Sequence, residues 1–136
     1  MSDFIPVNEP LLNGNEKKYL NECIDTGWIS SEGPFVKLFE SEMANLVNRN
    51  YAAAVTNGSS ALDLAITALN IKKGDEVIIP TFTIISCANA IVRAGAIPVL
   101  VDSDPATWNM DVSKIEEKIT DSTKAIMVVH IFGLPV

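Results

Sequence analysis

The chain has 136 residues, 48% of them hydrophobic and 20% charged, which supports a single buried core. Seventeen acidic against ten basic side chains give a formal net charge of -7, which argues against nucleic-acid binding, where a basic stripe is needed. No apolar run approaches the ~20 residues of a membrane-spanning helix.

The N-terminal residues lack the basic start and apolar core of a secretory signal. Cys23 and Cys87 fall in predicted helices without metal-ligand spacing, so a reduced, cytoplasmic chain is expected. In chain order, residues 1–12 read as extended and are punctuated by Pro6 and Pro10. Asn13 followed by Glu16 has the spacing of a capping box, and the helix it opens carries Tyr19, Leu20, Cys23 and Ile24 until Gly27 stops it. A loop follows, with Trp28 read as a packed aromatic. Pro34 suits the first turn of a second helix, whose core face would be Val36, Phe39, Met43, Leu46 and Val47.

The apolar run 51–55 predicts a buried strand, and Asn57-Gly58 a tight turn. From Ala61 the pattern is helical, with Leu62, Ile66 and Leu69 on one face. Residues 76–79 read as a strand ended by Pro80, 86–93 as a helix closed by Gly95, and 97–101 as a strand. Asp111 caps a short helix with Val112, Ile115 and Ile119, and 124–131 form a last strand. Apolar strands alternating with helices predict an α/β fold, a mainly parallel sheet with helices on both faces.

Such sheets bind ligands beyond the carboxyl ends of their strands, which puts 57–60, 81–84 and 102–104 on the binding edge. The strand–turn–helix junction at Gly58, Ser59 and Ser60 suits a phosphate, because a helix start gathers unpaired N–H groups and a positive dipole end. The competing reading makes Ser59 or Ser60 an ordinary cap, with Asp63 supplying the dipole's negative charge. Neither GxxxxGK[ST] nor GxGxxG is present, so nucleoside triphosphate and dinucleotide signatures are missing. His130, inside an apolar strand, reads as a hydrogen-bonded core histidine. Asp102 and Asp104 lack a third ligand and read as a solvated turn, so no metal is expected.

Taken together, several motifs carry a resemblance. Asn8-Glu9-Pro10, Asp25-Thr26-Gly27-Trp28-Ile29-Ser30, Phe39-Glu40, Asn57-Gly58-Ser59-Ser60-Ala61-Leu62, the run from Gly74 to Thr83, and Val129-His130-Ile131-Phe132-Gly133 occur in that order. In this the chain resembles the N-terminal part of the pyridoxal-phosphate sugar aminotransferases of the DegT/DnrJ/EryC1/StrS family, and within it the perosamine-synthase-like members. The resemblance implies part of the large domain of the fold type I aminotransferases, with 1–35 an N-terminal arm and helix and 36–136 a truncated cofactor-binding domain. It implies pyridoxal 5'-phosphate as cofactor, its phosphate on Gly58, Ser59 and Ser60. Ile84 stands where the family places an aromatic ring against the cofactor's pyridine face.

It further implies a cytoplasmic homodimer that aminates a nucleotide-linked 4-keto-6-deoxy sugar, with an amino-acid donor such as glutamate. In the family the Schiff-base lysine and the acid at the pyridine nitrogen lie beyond the Val-His-x-x-Gly motif, and no lysine here matches. The chain is therefore expected to be a front part without catalytic residues, inactive alone. Two alternatives stay open: a non-catalytic binding module, and part of another fold type I enzyme such as a sugar dehydratase.

Overall fold

Val77, Ile78 and Ile79 are consecutive β-branched residues with no solvent exposure, and they form the middle of strand β1 (Glu76–Pro80). The computed structural model that shows this describes residues 4–136. Strands β2 (Ile97–Val101) and β3 (Thr123–Ile126) flank β1, both parallel to it, in the order β2-β1-β3. Glu76 faces Ile97 and Pro80 faces Val101, whereas an irregularity after Glu76 sets Val77 opposite Ala125. Parallel neighbours need a crossover, and helix α4 (Ile85–Arg93) makes the one from β1 to β2.

Helix α3 (Gly58–Ala68) joins α4 on one face of the sheet, where Ile66, Ala90 and Ile91 share a core with Val77, Ile79 and Ala96. On the other face Ile78 and Val101 cluster with Met110, and Val99 and Ile115 pack against them. There the cover is two 3₁₀ turns, Val112–Lys114 and Glu116–Lys118, in place of one short helix. Asp111 caps them as read, accepting the Ser113 N–H at 3.1 Å.

The chain divides into two compact units, one ending at Ala54 and the other Val55–Val136. The division expected between 35 and 36 falls in the first turn of helix α2 (Pro34–Leu46). In the first unit α1 (Glu16–Thr26) starts behind Asn15, not Asn13, and no side chain caps it. Glu16 instead accepts the Gly14 N–H at 2.9 Å. Gly27 ends α1 at φ 75°, a left-handed conformation natural to glycine, with its N–H on Ile24 O.

Helix α2 begins at Pro34 as read, but its expected core face is not buried. Phe39, Met43, Leu46 and Val47 are 40–80% exposed, and Ala44 is the buried residue of the helix. Periodicity shows which residues share a face, and leaves open what covers it. Trp28, read as packed, is 48% exposed.

Three further readings are corrected. Residues 51–55 form no strand, for among the described residues no neighbour pairs with them, and Tyr51 is 89% exposed. Ala54 N–H turns to Glu40 Oε1 at 2.8 Å. The last strand stops at Ile126, one more ladder bond runs from Met127 N–H to Ile78 O, and the chain then leaves the sheet. His130 consequently lies exposed rather than in the core, its Nδ1 accepting the Val136 N–H at 3.1 Å.

Candidate functional site

Asn57 shapes the start of α3. Its backbone is extended, and its Oδ1 accepts the Ser60 N–H at 2.9 Å. Asn57 O accepts the Ala61 N–H at 3.1 Å. Asn57 is thus the N-cap, and Gly58, Ser59 and Ser60 form the first turn itself. Among the described residues no acceptor meets the N–H groups of Gly58 and Ser59. The reading of Asp63 as the dipole's counter-charge also fails. The first turn holds no acid, and Asp63 lies farther along, paired with Arg93 at 2.6 Å.

A second helix starts beside it. Four residues separate Pro80, the end of β1, from Ile85, the start of α4. Ser59 Oγ donates to Ser86 Oγ at 2.9 Å, so the start of α3 adjoins the carboxyl end of β1, as the binding-edge rule expects. Ile84 is the N-cap of α4, 55% exposed and without a side-chain acceptor to offer. The structure therefore brings Ile84 to the same place as Gly58, Ser59 and Ser60. The Ser60 and Thr56 hydroxyls lie 3.4 Å apart, and Thr56 Oγ1 accepts from Asn57 Nδ2 at 3.3 Å.

Aromatic residues gather at the same edge. The Phe82 ring meets Trp108 edge-on at 5.5 Å and Phe132 at 6.0 Å between centroids. The hydroxyls of Thr83 and Ser103, which follow β1 and β2, are buried without a partner among the described residues.

The acidic turn is occupied with its own backbone. Asp104 accepts the Thr107 N–H at 2.8 Å, the Thr107 hydroxyl at 3.0 Å and the Ala106 N–H at 3.0 Å. The Thr107 N–H foremost, and then its hydroxyl, hold the Asp104 carboxyl below its usual 3.8. The Ser113 hydroxyl does the same for Asp111. Asp102 accepts the Ser103 N–H at 2.8 Å and faces Lys114 Nζ at 3.8 Å. Among the described residues no three His, Cys, Asp or Glu side chains converge on a point.

Two roles at this site escaped the sequence reading, although Asn57 itself was placed on the binding edge. Asn57 was visible as a cap-type residue directly before a helical glycine, but Asn-Gly also spells a turn. Ser86 carried a weaker signal, a hydroxyl near the start of a helix that follows a strand.

Among the described residues, the start of α3 thus offers two N–H groups without acceptors, hydroxyl side chains and no carboxylate in its first turn, donors of the kind a phosphate-sized anion accepts from. A Cβ added at Gly58 would meet nothing within 4 Å, so the space beside it is open.

Comparison with known proteins points the same way. The profile of the DegT/DnrJ/EryC1/StrS aminotransferase family matches residues 10–136. The chain is 54% identical over 132 residues to GDP-perosamine synthase of Escherichia coli O157:H7, covering 97% of this chain and 36% of that protein. It is 50% identical over 135 residues to GDP-perosamine synthase of Caulobacter vibrioides, covering 98% and 36%. A solved structure of E. coli GDP-4-keto-6-deoxy-D-mannose-3-dehydratase with bound hydrated PLP superposes with a TM-score of 0.86 at 32% identity, over 96% of this chain and 35% of that one. The chain spans about a third of the length of these relatives.

Proposed function

The chain belongs to the DegT/DnrJ/EryC1/StrS aminotransferase family, and on that premise we propose that the protein carrying it is a pyridoxal-phosphate-dependent sugar aminotransferase. Its substrate is a nucleotide-linked 4-keto-6-deoxy sugar, whose keto group becomes an amine at the expense of an amino-acid donor such as glutamate. The observation that carries this reading is the open start of α3, where the Gly58 and Ser59 N–H groups lack acceptors beside two hydroxyls. The identities of 54% and 50% to GDP-perosamine synthases support the substrate class.

Gly58, Ser59 and Ser60 hold the cofactor phosphate: the two free N–H groups and the serine hydroxyls donate to its oxygens. Asn57 keeps the turn open by taking the Ser60 N–H for itself. Ile84 offers the cofactor ring an apolar contact without stacking. When bound, the cofactor would supply an electron sink and carry the amino group from donor to sugar. Residues 36–136 serve as part of the cofactor-binding domain and 1–35 as an N-terminal arm. The enzyme works in the cytoplasm as a homodimer. No described helix is long and apolar enough to cross a membrane.

A second reading, a sugar dehydratase, is favoured by the structural neighbour with a TM-score of 0.86. The higher identity to the perosamine synthases ranks it behind amination. The whole protein, loaded with pyridoxal 5'-phosphate and given glutamate and GDP-4-keto-6-deoxy-D-mannose, tests the choice by mass spectrometry of the product. An amino sugar is expected. A sugar that has lost its 3-hydroxyl would favour the dehydratase, and unchanged substrate would contradict both.

A further inference from the structure

Two helix starts meet at one point. Ser59 is the second residue of α3 and Ser86 the second of α4, and their hydroxyl oxygens lie 2.9 Å apart, half buried. Each helix brings the positive end of its dipole there, and neither carries Asp or Glu in its first turn to answer it. The helices share one core through Ile66, Ala90 and Ile91, and the Asp63–Arg93 pair ties them farther along.

Proton counting then limits what the pair can do. Each hydroxyl has one proton and can rotate to suit its surroundings. With Ser59 donating to Ser86, the Ser59 proton is spent within the pair. With the direction reversed, Ser86 donates to Ser59 and the Ser59 proton is free for an anion at the start of α3. Hydrogen bonds in series polarise one another, so a hydroxyl that accepts from behind donates better in front. The Ser59 hydroxyl belongs to the same turn as the free Gly58 and Ser59 N–H groups, whereas Ser86 belongs to another helix.

Resting on the phosphate reading of α3, we propose that Ser86 is a positioning residue: its hydroxyl holds that of Ser59 with the proton aimed at the cofactor phosphate. It acts through Ser59 and does not touch the phosphate. This gives α4, whose own cap Ile84 offers no acceptor, a defined part in cofactor binding.

The test uses the whole protein and two probes, pyridoxal 5'-phosphate and pyridoxal, titrated by equilibrium dialysis. The dissociation constant of pyridoxal divided by that of pyridoxal 5'-phosphate isolates the phosphate's contribution. A merely structural Ser86 would change both affinities alike and leave the ratio in place. Ser86→Ala is expected to lower the ratio about three- to tenfold, the scale of one hydrogen bond. Ser59→Ala lowers it at least as far, and adding Ser86→Ala to Ser59→Ala changes little more, because the two act as a unit. Ser86→Thr keeps the hydroxyl and retains the ratio. Should Ser86→Ala fail to fold, Ser86→Cys, similar in size and a weak donor, is read in the same way. An unchanged ratio in these variants, or effects of Ser59→Ala and Ser86→Ala that simply add, overturns the role. A wild-type ratio near one is a separate outcome: it removes the phosphate from α3, and this inference with it.

Discussion

Gly58→Ala separates the needs of the helix from those of the ligand. Gly58 is the first residue of α3, and its φ lies outside the left-handed region, so alanine adopts the same backbone without strain. The added Cβ meets no atom within 4 Å. Alanine restricts the unfolded chain more than glycine does, which stabilises the fold by about 0.4–1 kcal/mol. In a whole protein about three times this length that raises Tm by about 1 °C. On the phosphate reading of α3, the same methyl group would crowd an anion bound at the N–H groups of Gly58 and Ser59. Displacing one charge-assisted hydrogen bond costs about 1.5–3 kcal/mol, so cofactor affinity should fall roughly tenfold or more. Calorimetry of the unliganded protein reads the first effect and equilibrium dialysis with pyridoxal 5'-phosphate the second. A lowered Tm would refute the backbone argument. A raised Tm with unchanged affinity would refute the placement of the phosphate.

Ile78 has no exposure and sits in the middle of the central strand, so Ile78→Ala should cost about 2–5 kcal/mol in denaturant unfolding. Leu100→Ala, at a half-exposed position of β2, should cost well under that, and equal losses would contradict the burial described. The lowered Asp104 carboxyl predicts acid sensitivity of its turn. A group depressed in the folded state stabilises it fully above the ordinary value of 3.8, and that contribution fades as pH falls through the lower folded value. Trp108, whose N–H donates to Asp104 O, reports the change by fluorescence in a Trp28→Phe background. Asp104→Asn should abolish this acid step, and its persistence would assign the step elsewhere.

How much of this was legible depended on whether a signal was local. β1 and β2 were readable because each is a short apolar run bounded by turn residues, and in β1 the β-branched Val77 to Ile79 are buried on both faces. The helices beginning at Pro34 and near Ser86, and the stops at Gly27 and Gly95, carried their signals in one or two residues. Residues 51–55 carried the same apolar signal as β1, but a strand also needs a neighbour, and pairing is not local. His130 was misplaced for that reason, since it followed a strand that leaves the sheet four residues earlier. At the site, Gly58, Ser59 and Ser60 were legible as a helix start, whereas their division of labour with Asn57 depends on geometry. Ser86 stands 27 residues from Ser59, and its part emerges only when the two helices pack.

The central claim is that a phosphate sits on the turn Gly58, Ser59 and Ser60, and Ser60→Asp addresses it most directly. The new carboxylate would stand about 4 Å from the phosphate, where an effective dielectric near 20 gives a repulsion on the order of 4 kcal/mol. Even a third of that is tenfold in affinity. Ser122→Asp adds the same charge at an exposed position just before β3, at the opposite end of the parallel sheet. Titration of both variants of the whole protein with pyridoxal 5'-phosphate is the measurement. The phosphate site predicts a loss of at least tenfold for Ser60→Asp and little change for Ser122→Asp, and equal affinities in the two variants would contradict it.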